Sequence, residues 1–455
     1  MNRIVIKNFR CYEEMSIEFR RGINLLIGDN SVGKTSLLRA CNLVINSFFS
    51  GFSDENTVWK SAEAYDFREI RNADLQTDDL PINITFYLDE HDCLPIILAN
   101  EKEYYLKAKM NCDDDSNLTE LKIEKKSKKS SRTLTTSLKP LKEYASLLQK
   151  NSHMIVNNES FQRNALPLFA FFTTEDIHTG RKIDKNKFKK YPQKPSFGYF
   201  ESYDCKGLLE YWLKRMLVLK EANKGEVEIE CVRAALKSAL GDEGCGIISD
   251  IDIRISAAEV YFIHCDGREV RSDLLSDGYR RLINIVVDLA MRCALLNKVM
   301  FGVDAYLHTH GTVIIDEIDE HLHPALQVRI LNALHKTFPK IQFIVSTHAP
   351  LVMSSVEPNE DNAVYKLEFK DGIYAYSELD TYGLDANVIM EELMGANNRD
   401  IKVDEKIKEI EEFIADKNIE KAKSLLENLE RLTVPTQPDL VRLRAIINRL
   451  IIVGR

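Results

Sequence analysis

The stretch Gly28-Asp29-Asn30-Ser31-Val32-Gly33-Lys34-Thr35-Ser36 decides the fold. It reads G-x-x-x-x-G-K-[ST] between the apolar run Ile23-Asn24-Leu25-Leu26-Ile27 and the helical start Leu37-Leu38-Arg39-Ala40. A strand that passes through a glycine-rich turn into a helix leaves a concave row of backbone N–H groups, a natural seat for an anion. Gly28 and Gly33 supply the turn, and Asn30, Ser31 and Ser36 complete its wall. In this pattern Lys34 reaches the β- and γ-phosphates of a nucleoside triphosphate, and the Thr35 hydroxyl faces Mg²⁺. ATP and Mg²⁺ are the expected ligands.

Composition sets the frame for that motif. The 455 residues are 44% hydrophobic and 29% charged, which suits two or three globular domains with a large core. No apolar run approaches the length of a membrane span, and the chain enters Ile4-Val5-Ile6 without a signal-peptide pattern, so a cytoplasmic protein is expected. The nine cysteines are scattered, odd in number and never spaced C-x-x-C, which argues for reduced thiols over a disulfide framework or a zinc cluster. A net charge of −9 argues against a surface that coats nucleic acid. Two local clusters run the other way: Lys122 to Arg132, and Arg181 to Lys190 with six cations in ten positions. Lys125–Lys129 and Arg181–Lys190 are candidate contacts for a nucleic-acid backbone, with solvated loops as the alternative.

Hydrophobic periodicity outlines an α/β protein whose core is split in sequence. Arg3 to Lys7, Ser16 to Phe19 and Ile23 to Ile27 read as strands before the first helix, and Ile82 to Leu88 and Tyr104 to Met110 alternate as in a half-buried antiparallel β-lobe. A polar insertion follows, broken by the aromatic strand Leu166 to Phe172, then by helical spacing over Leu208 to Lys220 and Cys231 to Leu240. The core resumes with a strand at Val260 to His264, a helix at Ser276 to Leu295, buried strands at Thr312 to Ile315 and Ile341 to Val345, and a helix at Ala325 to Thr337 between them. Expected divisions are 1–110 (first part of the core and β-lobe), 111–250 (insertion and helical lobe), 251–395 (second part of the core) and 396–455 (a tail of two or three amphipathic helices for partner or oligomer contacts).

Three further motifs carry chemistry. Thr312-Val313-Ile314-Ile315-Asp316-Glu317 is an apolar strand ending in two acids; Asp316 suits Mg²⁺, and Glu317 suits polarisation of the water that attacks the γ-phosphorus. Phe343-Ile344-Val345-Ser346-Thr347-His348 ends in a histidine able to sense the γ-phosphate. Leu275-Ser276-Asp277-Gly278-Tyr279-Arg280-Arg281 opens a helix for which Ser276 is a good N-cap.

The order of these parts resembles ABC-type ATPase heads, and within them the SMC- and RecF-like branch. Ile6-Lys7-Asn8-Phe9-Arg10, Gly28-Asp29-Asn30, Asp316-Glu317-Ile318-Asp319-Glu320-His321-Leu322-His323-Pro324 and Ser346-Thr347-His348-Ala349-Pro350 carry the likeness. What the resemblance implies is a site shared between two heads in a head-to-tail dimer, with Ser276 and Gly278 reaching the partner's ATP. It also implies a phosphate contact for Arg10, and a D-loop at Asp319 to Pro324. The chain departs from the family in having Asp277 and Tyr279 where a glycine and a glutamine are usual, and in lacking long heptad arms. No glutamine stands near Phe171 to Glu175, where the family has its lobe-connecting one.

Leu379-Asp380-Thr381-Tyr382-Gly383-Leu384-Asp385-Ala386-Asn387, with Met394-Gly395 and a short helical tail, is similar to the compact ATPases of bacterial anti-phage systems of the Septu type, retron-associated forms included. That resemblance implies a separate HNH-type nuclease partner such as PtuB, controlled by nucleotide-dependent head assembly, and no nuclease activity in this chain. Two other functions fit the same motifs: a DNA-repair-like clamp on duplex DNA, and an ATP-bound oligomer scaffold with little turnover.

Overall fold

The computed structural model describes residues 1–57, 59–68, 80–89, 96–97, 103–104, 118–128, 136–152, 154–156, 159–174, 194–205, 207–396, 400–434 and 436–453. They form two compact units, Met1–Leu384 and Asp385–Arg455.

The first unit is an α/β assembly built on strands β1 (Arg3–Phe9), β2 (Tyr12–Glu18), β3 (Ile23–Ile27), β4 (Ile82–Asp89), β5 (Ile96–Ile97), β6 (Glu103–Tyr104), β7 (Leu118–Lys125), β8 (Met154–Val156), β9 (Glu159–Phe161), β10 (Leu168–Phe172), β11 (Ile248–Arg254), β12 (Glu259–His264), β13 (Glu269–Arg271), β14 (Gly311–Ile315), β15 (Ile341–Ser346), β16 (Ala363–Lys370) and β17 (Ile373–Leu379). Its central sheet runs in the order β10-β14-β15-β3-β16-β17. The first five strands are parallel, and β17 closes the edge antiparallel. Such a sheet needs cover on both faces, which is why β3 and β15 are continuously buried runs. A second sheet, β2-β1-β4-β7, is antiparallel and alternates instead: Ile4 and Ile6, Ile82, Ile84 and Phe86, and Leu121 and Ile123 all turn inward. A third, β11-β12-β13, completes the set of larger sheets among the described residues.

Helices Leu209–Glu221, Glu226–Leu240 and Asp277–Phe301 pack into the helical lobe around buried ion pairs. Asp288 accepts from Trp212 Nε1 and from Arg292 Nε at 2.6 Å, and the Arg215 guanidinium lies on Glu228 at 2.9 Å, all four charged side chains being buried. Losing one partner of such a pair strands a buried charge, at a cost of about 3–5 kcal/mol.

Some elements differ from the sequence reading. The helix expected over 325–337 is two pieces, Pro324–Gln327 and Ile330–Thr337, because the chain between them tightens: Arg329 N–H bonds to Leu326 O at 3.0 Å, an i→i−3 contact. Helix Asp277–Phe301 runs six residues past the expected Leu295. Of the expected strand 104–110, only Tyr104 lies within the described residues, as the end of β6.

The second unit holds helices Ile401–Ala415, Ile419–Leu432 and Pro438–Val453. Asp400 and Asn418 cap the first two by accepting from Lys402 N–H and Lys421 N–H. Ile407, Ile410, Ala422, Leu426, Leu429, Leu440, Leu443 and Ile447 bury one another, so this unit has its own core. Seven described cysteines are free thiols, five of them buried, and Cys93 and Cys112 lie outside the described residues. Among the described residues no helix is long and apolar enough to cross a membrane.

Candidate nucleotide-binding site

The central sheet delivers β3 into the glycine-rich turn, and the turn into helix Lys34–Asn46. Gly28, Ser31 and Gly33 take φ of 138°, 76° and 95°, the left-handed region that winds successive N–H groups to one side. A Cβ on Gly33 would sit 2.5 Å from Tyr12 Oη, and one on Gly28 would sit 2.5 Å from Leu367 O, so both positions need glycine for space as well as for φ. The Tyr12 hydroxyl donates to Gly33 O at 2.9 Å, and its ring meets Tyr374 edge-on at 4.9 Å, fixing the loop from outside.

Lys34 is buried, and its Nζ donates to Gly28 O at 2.7 Å and to Asp29 O at 2.9 Å, so the amine lies across the mouth of its own loop. Burial lowers its pKa, opposed by Asp316, Glu317, Asp29 and Asp319. Asn30, Ser31 and Thr35 are exposed along the loop and Ser36 is half-buried. The cradle fits a polyphosphate: left-handed glycines, outward hydroxyls, and a buried ammonium ringed by carboxylates that a divalent cation would neutralise.

Strand β14 ends at Ile315, and Asp316 follows it with its N–H held by Phe172 O at 2.9 Å. Ser346, last residue of β15, donates its hydroxyl to Asp316 Oδ1 at 2.5 Å and accepts from Glu317 N–H at 2.8 Å. Glu317 itself sits at φ 49°, strained for a residue with a side chain. Arg281 helps to fix that backbone by donating to Asp316 O at 2.7 Å and to Glu317 O at 2.9 Å, while its other amine holds Glu320 at 2.6 Å. Burial, then the charges of Asp316, Glu320 and Asp319, push the Glu317 carboxyl above the usual glutamate range. Asp319 accepts from the Thr347 hydroxyl and from His348 N–H at 3.3 Å. The His348 imidazole is lowered by burial and by the Lys34 ammonium, which keeps it neutral at pH 7. Lys34, Asp316, Glu317 and His348 therefore share one electrostatic environment.

Ser276 stands exposed at the N-terminus of helix Asp277–Phe301, and its side chain caps nothing. Gly278 is buried in the next turn, where an added Cβ would meet His321 O at 2.3 Å. The signature turn is thus packed on the Asp319 to Pro324 loop, with the Ser276 hydroxyl left for contacts outside the helix.

Arg10 is held by its neighbours: its Nε lies on Asp66 at 3.1 Å and its guanidinium over the Tyr65 ring at 5.3 Å, beside Arg39. His323 caps its own helix by accepting from Ala325 N–H at 3.3 Å, and among the described residues no cluster of His, Cys, Asp and Glu is arranged to hold a metal on its own. One expected cation is turned inward. Lys125, the last residue of β7, is buried with its Nζ bonded to Ala62 O and is not part of a surface that could grip phosphates. Lys126 and Lys128 are exposed, while Lys129 and the whole 181–190 cluster lie outside the described residues.

The residues that the motifs alone did not single out are Ser346, Arg281 and Tyr12, which touch the site through other groups. Ser346 and Arg281 lie inside quoted motifs; Tyr12 had no signal beyond its place after Arg10.

A glycine-rich loop feeding a helix, a buried lysine across it and paired acids at the end of another parallel strand of the same sheet define a P-loop nucleotide-binding protein. The chain belongs to the family described as "AAA domain, putative AbiEii toxin, Type IV TA system", whose model matches residues 23–354. It is similar to "Retron Vc95 probable ATPase" of Vibrio cholerae, 24% identical over 401 residues, 77% of this chain and 70% of that protein. It is also similar to "Septu protein PtuA" of Bacillus thuringiensis, 22% identical over 433 residues, 93% of this chain and 91% of that one. Among solved structures, an SMC head bound to the C-terminal winged-helix domain of ScpA aligns over 83% of this chain and 98% of that chain, at 13% identity and a TM-score of 0.46.

Proposed function

We propose that this chain is an ATP-hydrolysing subunit of an anti-phage defence complex, in which nucleotide state sets how two heads join and thereby controls a separate HNH-type nuclease. The observation that carries the hydrolytic part is Glu317, whose backbone, strained at φ 49°, is fixed at its N–H by Ser346 and at its carbonyl by Arg281, leaving the carboxylate free to meet water. Lys34 and the loop N–H groups bind the β- and γ-phosphates, and Arg10 is a candidate at the loop's flank. Asp316 and Thr35 would hold Mg²⁺, which would supply positive charge to offset that of the phosphate oxygens. Glu317 accepts a proton from the attacking water, and His348, neutral at pH 7, donates a hydrogen bond towards the γ-phosphate.

Ser276 and Gly278 act in trans, the uncapped hydroxyl and helix N-terminus meeting the partner head's γ-phosphate. The helical unit then serves as the contact surface for partner or oligomer, a reading supported by exposed Ile401, Leu432, Val434 and Ile452 on a bundle that already has its own core.

The test is phosphate release and phage protection by Lys34→Ala and Glu317→Gln. Both variants are expected to lose turnover and protection, with Glu317→Gln retaining ATP and favouring the joined heads. Unchanged turnover and protection in both would overturn the proposal. Truncation after Gly395 is expected to end co-purification with the nuclease while leaving nucleotide binding intact.

A further inference from the structure

A cavity of about 490 Å³ lies at the end of the central sheet opposite the phosphate loop. It is bounded by the starts of the same elements whose far ends carry the nucleotide site. Arg21 precedes β3, Gly311 opens β14 and Gln342 stands at the start of β15, while Phe48 follows the foot of helix Lys34–Asn46. The volume falls in the range of small-molecule sites.

Its lining is divided. Phe48, Phe86, Phe169 and Tyr144 give an aromatic body, each buried or largely so. The polar floor is satisfied at Gln342, whose amide donates to Met1 O at 2.8 Å and Arg20 O at 2.7 Å, and whose carbonyl accepts from Thr312 Oγ1 at 3.2 Å. His310 differs. Its backbone is fixed by the bond from Leu168 N–H at 2.7 Å, yet this lining residue keeps a buried Nδ1 with no hydrogen-bond partner among the described residues. A buried polar atom of this kind needs a ligand or water to complete it. Lys340 stands exposed at the rim, near enough for its charge to help keep the His310 imidazole neutral.

We propose that this cavity is a second ligand site, separate from the phosphate loop, for an amphipathic monoanion. Its aromatic or acyl body lies among Phe48, Phe86 and Phe169, and its carboxylate lies between the Lys340 ammonium and a donating His310 Nδ1–H. The aromatic walls disfavour a bare phosphate or a metal ion, and a lining that carries Arg21 and Lys340 but also Asp361 suits one acidic group better than a polyphosphate. The proposal stands independently of the function assigned to the nucleotide site.

The test uses the full chain saturated with ATP, so that the phosphate loop is occupied, and 1-anilinonaphthalene-8-sulfonate as the fluorescent aromatic anion. Saturable binding at one site per chain is expected. Leu88→Trp, at a half-buried lining position, fills the cavity and should abolish that binding. Lys340→Glu, at an exposed position, should weaken it about tenfold without affecting the fold. Decanoate and indole-3-acetate are then tried as competitors. Displacement by either supports the site and identifies the body it prefers, acyl or aromatic. Probe binding that is unchanged in both variants would overturn the proposal.

Discussion

The Ser346 hydroxyl donates to Asp316 Oδ1 at 2.5 Å, which ties the last residue of one parallel strand to the acid that ends its neighbour. The same oxygen receives the Glu317 N–H, so one hydroxyl holds both the Asp316 carboxylate and the Glu317 backbone. Ser346→Ala is expected to lower kcat about tenfold, equivalent to about 1.4 kcal/mol, and to raise the Mg²⁺ concentration needed for half-maximal rate. Ser346→Thr should restore most of the loss. Steady-state phosphate release across a Mg²⁺ titration checks both.

Glu317 makes a pH prediction with a definite sign. Its carboxyl is held above the ordinary 4.5 by burial and by acidic neighbours, and it must be ionised to take a proton. Turnover should therefore fall on acidification, with a limb above the usual glutamate range. Glu320→Gln removes a like charge and releases Arg281, both of which favour ionised Glu317, so the limb should move to lower pH. A limb that stays in place in this variant would refute the coupling.

Gly278 is packed where no Cβ fits, 2.3 Å from a backbone carbonyl that has no flexible end to yield. Gly278→Ala should push the signature turn off the Asp319 to Pro324 loop, with ATP-driven dimerisation lost before ATP binding. Light scattering with and without ATP, beside nucleotide affinity, separates the two.

His310 links stability to acid. Its folded pKa is lowered from 6.5 to about 4, chiefly by burial. Above pH 6.5 both folded and unfolded states are neutral there, and nothing changes. As pH falls from 6.5 towards 4 the unfolded chain takes a proton that the folded one refuses, so stability declines by at most about 1.4 kcal/mol per pH unit. His310→Gln should flatten that part of the pH–stability curve, as read by urea denaturation at pH 7 and 5.

Sequence made the nucleotide core legible because its chemistry is contiguous: the loop at Gly28 to Ser36, the acids at 316 and 317 and the histidine at 348 each sit at the end of an apolar run. What it hid depends on packing between distant segments. The hold of Arg281 on two carbonyls arises only when helix Asp277–Phe301 meets the end of β14. Lys125 was concealed by the lysines after it, although the alternation Leu121, Ile123, Lys125 already assigned it to the inward face of β7. The bond of Arg10 to Asp66 was equally out of reach, because it crosses 56 residues of unrelated sequence.

The strand order carries a consequence for how the protein is made. β3 leads into the phosphate loop, yet both its neighbours in the sheet, β15 and β16, come far later, and the bond from Asn24 Nδ2 to Phe343 O spans 319 residues. At ribosomal rates of roughly 5–20 residues per second, β3 waits on the order of tens of seconds for a partner. During synthesis the loop exists as sequence long before it exists as a site, and a nascent chain cut short before β16 has no completed core with which to hold nucleotide.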